Sequence, residues 1–246
     1  MPSACATMAV AEHSRAFKVI SVGFKQKLDH LLPSYTHIPL VAMVCVHALV
    51  YYATRPVSQK LTHFDFSLPI DGVIPFLPVF SVIYLLSFVQ WTVGFILIAR
   101  DSRELCCRVI SGEIISKLIC MALFLLVPTT MTRAEIVSDG IFDRIVGYIY
   151  WLDAPDNMFP SIHCLESWVC FRGAMRMKKT RPWYRYFTLL FSLLVFASTV
   201  LIKQHAALDI IGGILTAEIG QQIAQKIDPR GWKLPFLKRD RSGGPA

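Results

Sequence analysis

His205 and Asp209 stand four residues apart, the spacing that puts two side chains on one face of a helix. A carboxylate so placed accepts the imidazole Nδ1 proton, fixes the tautomer and leaves Nε2 as a nucleophile or base. The same spacing suits a plain structural hydrogen bond between two buried polar groups. A second histidine, His163, follows Pro160-Ser161-Ile162, and proline fits the first turn of a helix. Free N–H groups at a helix start favour an anion, to which the Ser161 hydroxyl adds. Alone, a histidine at a helix start is more often structural. Arg133 and Lys203 supply positive charge. Arginine grips a phosphate through two oxygens and lysine adds a point charge, although either by itself reads as a residue snorkelling toward an interface. Together these groups point to phosphate chemistry assembled from three segments.

The elements that must position them are membrane helices. The chain has 246 residues, of which 54% are hydrophobic and only 17% charged, against about a quarter charged in soluble domains; its mean hydropathy is +0.49. A helix needs ~20 mostly apolar residues to span a bilayer. Six candidate spans follow: 38–54, 73–99, 110–127, 161–175, 184–202 and 205–227. The fourth is interrupted by Glu166 and Arg172. The sixth mixes Gly212, Gly213, Ala217 and Gly220 with Asp209 and Glu218. Small residues permit close helix packing, so these two polar helices are expected inside the bundle. The fold class read here is all-α, an integral membrane bundle of six transmembrane helices in one domain over 38–227. A cytoplasmic tail, 1–37, precedes it and a basic tail, 228–246, follows. Within the first tail, 14–32 reads as an amphipathic helix on the membrane surface, with basic residues between Phe17, Val19, Ile20, Val22 and Phe24.

Lysine and arginine fix the expected orientation. They crowd the N-terminal tail, the second-to-third and fourth-to-fifth connections and the C-terminal tail. The remaining connections carry only Arg55, Lys60, Arg133, Arg144 and Lys203. By the positive-inside rule both termini are cytoplasmic and the histidines face the extracytoplasmic side. The formal charge of +8 is thereby explained by topology, and nucleic acid is not an expected partner. The seven cysteines form no CxxC pair and show no metal-like spacing with histidine, so neither a zinc site nor a disulfide framework is expected. Residues 1–11 lack the basic start and long apolar core of a signal peptide, which leaves insertion to the first span.

With these residues in place, the chain resembles the type 2 phosphatidic acid phosphatase superfamily. Pro160-Ser161-Ile162-His163 matches its Pro-Ser-x-His motif, and Ser198, His205 and Asp209 match Ser-Arg-x5-His-x3-Asp in spacing. Thr199 stands where that motif has arginine, with Lys203 two residues before the histidine. The Lys/Arg-Pro motif is degenerate: Arg133 is followed by Ala134, and Leu126 takes the usual lysine position. Arg55-Pro56 sits on the first span and reads as a decoy. The likeness extends over about 70–225, including Asp71 and Ile74-Pro75-Phe76 entering the second span.

The resemblance implies a phosphohistidine mechanism without metal or cofactor. His205 would attack phosphorus, Asp209 would orient it, and His163 would protonate the leaving alkoxide and then activate the incoming nucleophile. Arg133, Ser161 and the backbone of Ile162 and His163 would hold phosphoryl oxygens. Lys203, beside Thr199 at the arginine position, is the candidate substitute. Water as nucleophile gives a lipid phosphatase acting on phosphatidate, phosphatidylglycerol phosphate or a polyprenyl pyrophosphate. A lipid alcohol acceptor gives a head-group phosphotransferase, similar to inositol phosphorylceramide and sphingomyelin synthases. The phosphatase is the leading reading; the missing arginine, which suits a less charged phosphodiester, makes transfer the alternative, and a non-catalytic lipid-binding protein is the third. The expected partners are a membrane lipid phosphate and the bilayer. The compact chain with short loops suits a bacterial plasma membrane.

Overall fold

The computed structural model describes residues 32–227. The two tails beyond them, with all but the last residue of the amphipathic segment 14–32, lie outside the described residues. After a single 3-10 turn at Ser34–Thr36, helix α1 runs over His37–Ser58. The expected second span begins differently from its hydropathy. Ile74, before Pro75, is extended, because a residue preceding proline is pushed out of the helical region. The segment therefore splits into a short helix α2, Pro69–Val73, a 3-10 turn at Pro78–Phe80, and the long helix α3, Ser81–Asp101. Helix α4, Arg103–Leu126, starts one residue later, with the Ser102 hydroxyl accepting the Leu105 N–H at 3.2 Å, an ordinary N-cap.

Helix α5, Ile141–Leu152, lies within the connection after α4. At 12 residues it is too short to span. It buries Val146 and Ile149 while exposing Ile141, Tyr148 and Trp151. Helices α6, Ile162–Arg176, α7, Pro182–Leu201, and α8, Ala207–Gln225, complete the described chain.

Four helical stretches among the described residues are long and apolar enough to cross a membrane: Ser34–Ser58, Pro78–Asp101, Arg103–Leu126 and Pro182–Leu201. Helices α6 and α8 are shorter or more polar, and both pack inside the group: α6 against α3, α4, α7 and α8, and α8 against α4 and α6. Their charges answer one another. Trp168 and Arg172 of α6 reach Glu218 of α8, each at 2.7 Å, and Arg176 donates to Gln221 at 3.3 Å. Polar groups that lipid would penalise are thereby paired within protein. Gly220 of α8 lies where any side chain would run into Ser116 and the Gly112 carbonyl of α4.

The loops segregate to two ends. At one, the Asp101 carboxylate accepts the Lys178 and Lys179 N–H groups at 2.9 and 2.8 Å, tying the α3–α4 corner to the basic α6–α7 connection. At the other, strand β1, Phe64–Asp65, pairs in parallel with β2, Thr129–Thr130. The Phe159 N–H donates to Thr129 Oγ1 at 2.7 Å, and the Leu77 N–H to the Leu201 carbonyl at 2.9 Å. The segments bearing Arg133, His163 and His205 therefore meet at one end of the bundle.

Candidate active site

The site is built where α6 and α8 begin side by side. Ser161 is the N-cap of α6, its hydroxyl accepting the Cys164 N–H at 3.4 Å, and its own N–H donates to the Asp209 carbonyl at 3.1 Å. A Cβ on Gly213 would come within 2.6 Å of the Ser161 carbonyl oxygen. Only glycine lets the first turns of α6 and α8 approach this closely.

Asp209 occupies the first turn of α8, nearly fully buried. Its Oδ2 lies 3.1 Å from His205 Nδ1 and accepts the Ala206 N–H at 3.0 Å. With Nδ1–H donated to the carboxylate, His205 Nε2 carries the lone pair. The hinge that sets this ring is held by Thr199, whose carbonyl accepts the Gln204 and His205 N–H groups at 2.9 and 3.1 Å. His163 stacks on Tyr84 with ring centres 4.2 Å apart, and its Nδ1 lies 3.4 Å from the Tyr84 hydroxyl. Its Nε2 has no hydrogen-bond partner among the described residues. The two imidazoles are 6.0 Å apart between ring centres.

Both rings line a cavity of about 470 Å³. Val44, Leu85, Phe88, Trp91, Phe124 and Ile149 give it hydrocarbon walls, and its polar lining includes His47, Arg55, Asp153, Asp156 and Asn157. Helix α1 packs on α4 and not closely on α3, and lining residues Val44 and Leu85, from α1 and α3, are exposed. The cavity thus opens sideways between those two helices.

The structure brings His163, His205, Asp209, Ser161 and Ile162 together; the expected cations it places elsewhere. Arg133 donates to the Tyr150 and Asp153 carbonyls, the first at 3.1 and the second at 2.5 Å, and covers the Tyr150 ring at 4.4 Å. Its burial lowers the guanidinium pKa, against the pull of Asp153. Burial also pushes the Tyr150 hydroxyl up to about 12, so it stays protonated and donates to the Ile202 carbonyl at 2.6 Å. Lys203 has left-handed backbone, φ 53°, and its ammonium donates to the Asp71 and Ile74 carbonyls, both at 2.6 Å. The Thr199 hydroxyl is fully buried and donates to the Phe196 carbonyl at 2.8 Å. None of these three side chains lines the cavity.

The cation that does line it is Arg55, set aside in the sequence as a decoy. Its Nε lies 3.3 Å from Asp156 and its Nη1 donates to the Leu152 carbonyl at 3.1 Å. Tyr51, one turn earlier, donates to Asp153 at 2.9 Å, and Gln204 donates to the same carboxylate at 2.7 Å. The sequence signal for Arg55 was its position: a charge at the end of the first span on the same side as both histidines.

A bundle of apolar helices with two imidazoles lining a cavity that opens between two of them, one imidazole backed by a carboxylate, fits a membrane protein and holds groups capable of acid–base or nucleophilic chemistry. The family model of the PAP2 superfamily matches residues 59–223, and the chain belongs to that superfamily. Comparison with curated proteins and with solved structures found no match.

Proposed function

We propose that the protein is a lipid phosphate phosphatase that works through a phosphohistidine on His205 and needs no metal. One observation carries this reading: two imidazoles share a cavity whose remaining walls are largely hydrocarbon and which opens between α1 and α3. A lipid phosphate entering sideways would meet His205 Nε2 with its phosphorus while its chains stay apolar. As the His205 Nε2–P bond forms, the P–O bond to the lipid breaks, and Asp209 holds the Nδ1 proton of the imidazolium that results. His163 enters as the imidazolium, its Nδ1–H facing the Tyr84 oxygen, and gives its Nε2 proton to the leaving alkoxide, which leaves the ring neutral. The neutral His163 ring next takes a proton from water, whose oxygen attacks phosphorus and releases phosphate from His205.

A specific observation favours the transferase alternative as a second reading. Asp153 and Asp156 line the cavity beside its one lining arginine. Carboxylates there oppose a doubly charged phosphomonoester and accept hydrogen bonds from an alcohol. Incubating the purified protein with phosphatidate and either water alone or a diacylglycerol or ceramide acceptor separates the two. Free phosphate supports hydrolysis, a new phosphodiester without phosphate supports transfer, and neither product, with lipid still bound by His205→Ala, supports a binding protein. Chelator should leave the rate unchanged.

In this reading α6 and α8 are the fourth and sixth spans, shielded by the four apolar ones. The termini lie in the cytoplasm and the cavity faces outward, in a bacterial plasma membrane. Tags at either terminus should then be protected from external protease in intact cells.

A further inference from the structure

Beneath the cavity lies a cluster of ionisable side chains that the chemistry above does not use. Lys117 of α4 is 1% exposed, and its ammonium sits 2.5 Å from Glu113 Oε1, 2.5 Å from Glu166 Oε1 and 2.6 Å from His47 Nδ1. Glu113 belongs to α4 and is fully buried; Glu166, also buried, belongs to α6, one turn below His163. Such a group is costly within a membrane helix bundle unless it serves something.

The stoichiometry of donors decides what it serves. An ammonium has three N–H donors and accepts nothing, and three acceptors surround Lys117. With Lys117 held as the ammonium between two carboxylates, the His47 nitrogen facing it is the acceptor, which in a neutral imidazole places the proton on Nε2. Glu166 Oε1, 3.4 Å from the same Nδ1, shares the lysine as donor with that nitrogen. Nε2 has no hydrogen-bond partner among the described residues, and His47 lines the cavity that holds His163 and His205. The cavity needs such a donor, since Arg133, Lys203 and Thr199 are all committed elsewhere.

We propose that His47 is a further phosphoryl-binding residue, presenting Nε2–H to a phosphoryl oxygen, with Lys117, Glu113 and Glu166 as the positioning residues that lock its tautomer. The ligand is the phosphoryl group itself, and the inference rests on the phosphoryl-transfer reading above. The Arg55 guanidinium, the His163 and His205 rings, the Asn157 amide and the Trp91 indole also line that space, and Asp153 and Asp156 are its carboxylates.

Two measurements on the full chain in detergent micelles test this. In protein labelled with 15N-histidine, the His47 ring signals are those lost in His47→Gln. They should report a bare Nδ1 and a protonated Nε2, and a proton found on Nδ1 overturns the proposal. Orthovanadate, which mimics the transferring phosphoryl group, should bind His47→Phe about tenfold to a hundredfold more weakly than wild type, as expected for one hydrogen bond to a charged group. His47→Gln, which restores an N–H near the same place, should recover most of that loss, and this separates a lost donor from a lost fold. Undiminished binding by His47→Phe, with binding abolished in His205→Ala, overturns the role of His47 and leaves the phosphoryl-transfer reading standing. Equal vanadate behaviour in wild type and His205→Ala overturns that reading, and the role of His47 with it.

Discussion

Where α6 and α8 begin, His205 is held by a near neighbour and α6 by its own cap, although His163 also stacks on the distant Tyr84; along α1, across the same cavity, the lining residues are held by distant ones. Asp209 fixes His205 from four residues away, and Ser161 caps α6 three residues before Cys164. On α1, His47 depends on Lys117, Tyr51 on Asp153 and Arg55 on Asp156. Seventy residues or more separate each of those pairs. Local spacing can encode the first wall, because a helix repeats its geometry every turn. Only tertiary packing can assemble the second. The proposed nucleophile is thus set by chain-local geometry, the proposed acid partly by Tyr84, and the wall proposed to bind by the bundle.

Substitutions on the two walls should separate accordingly. The largest effect short of losing the nucleophile is expected for His163→Ala. A general acid contributes about a hundredfold to ten-thousandfold, so phosphate release should fall by that order. The fall should be steepest for poor leaving groups, and equal losses across leaving-group pKa would remove His163 from the acid role. Gly213→Ala comes next. A methyl group forced against the Ser161 carbonyl should cost about 1–3 kcal/mol of stability and push the two histidines apart. Thermal unfolding in detergent, together with a fall in turnover, would register both. A stable and fully active variant would mean that the close approach is not needed.

Lys203→Met should do least to the chemistry. Its ammonium holds the Asp71 and Ile74 carbonyls outside the cavity, so the expected loss is about 1–3 kcal/mol of stability, read from unfolding, with the substrate KM little changed. A large rise in KM without loss of stability would return Lys203 to the phosphate site and erase the contrast between the walls.

The sequence carried the helical bundle, the two histidines and Asp209 because each leaves a local trace: apolar run length, or a spacing of three or four. Hydropathy located the long apolar helices, but it could not see that Pro75 and Pro78 break the second run or that 141–152 folds as a separate amphipathic helix. Charge alone could not say which cation reaches the site. Lys203 lies two residues from His205 and Arg133 on a segment that meets the site, yet both spend their donors on carbonyls, whereas Arg55, on another helix, faces the cavity. Lys117 is a charge within the apolar run 110–127, and only the fold places Glu166 and His47 around it.

The most direct test of the central claim is to look for the covalent intermediate. The protein would be mixed with phosphatidate labelled in its phosphate, quenched within the first turnover and digested, and the labelled peptide sequenced. The label should sit on His205, be stable to alkali and labile to acid, and be absent from His205→Ala. Turnover with no label on His205, or with label undiminished in His205→Ala, would contradict the account.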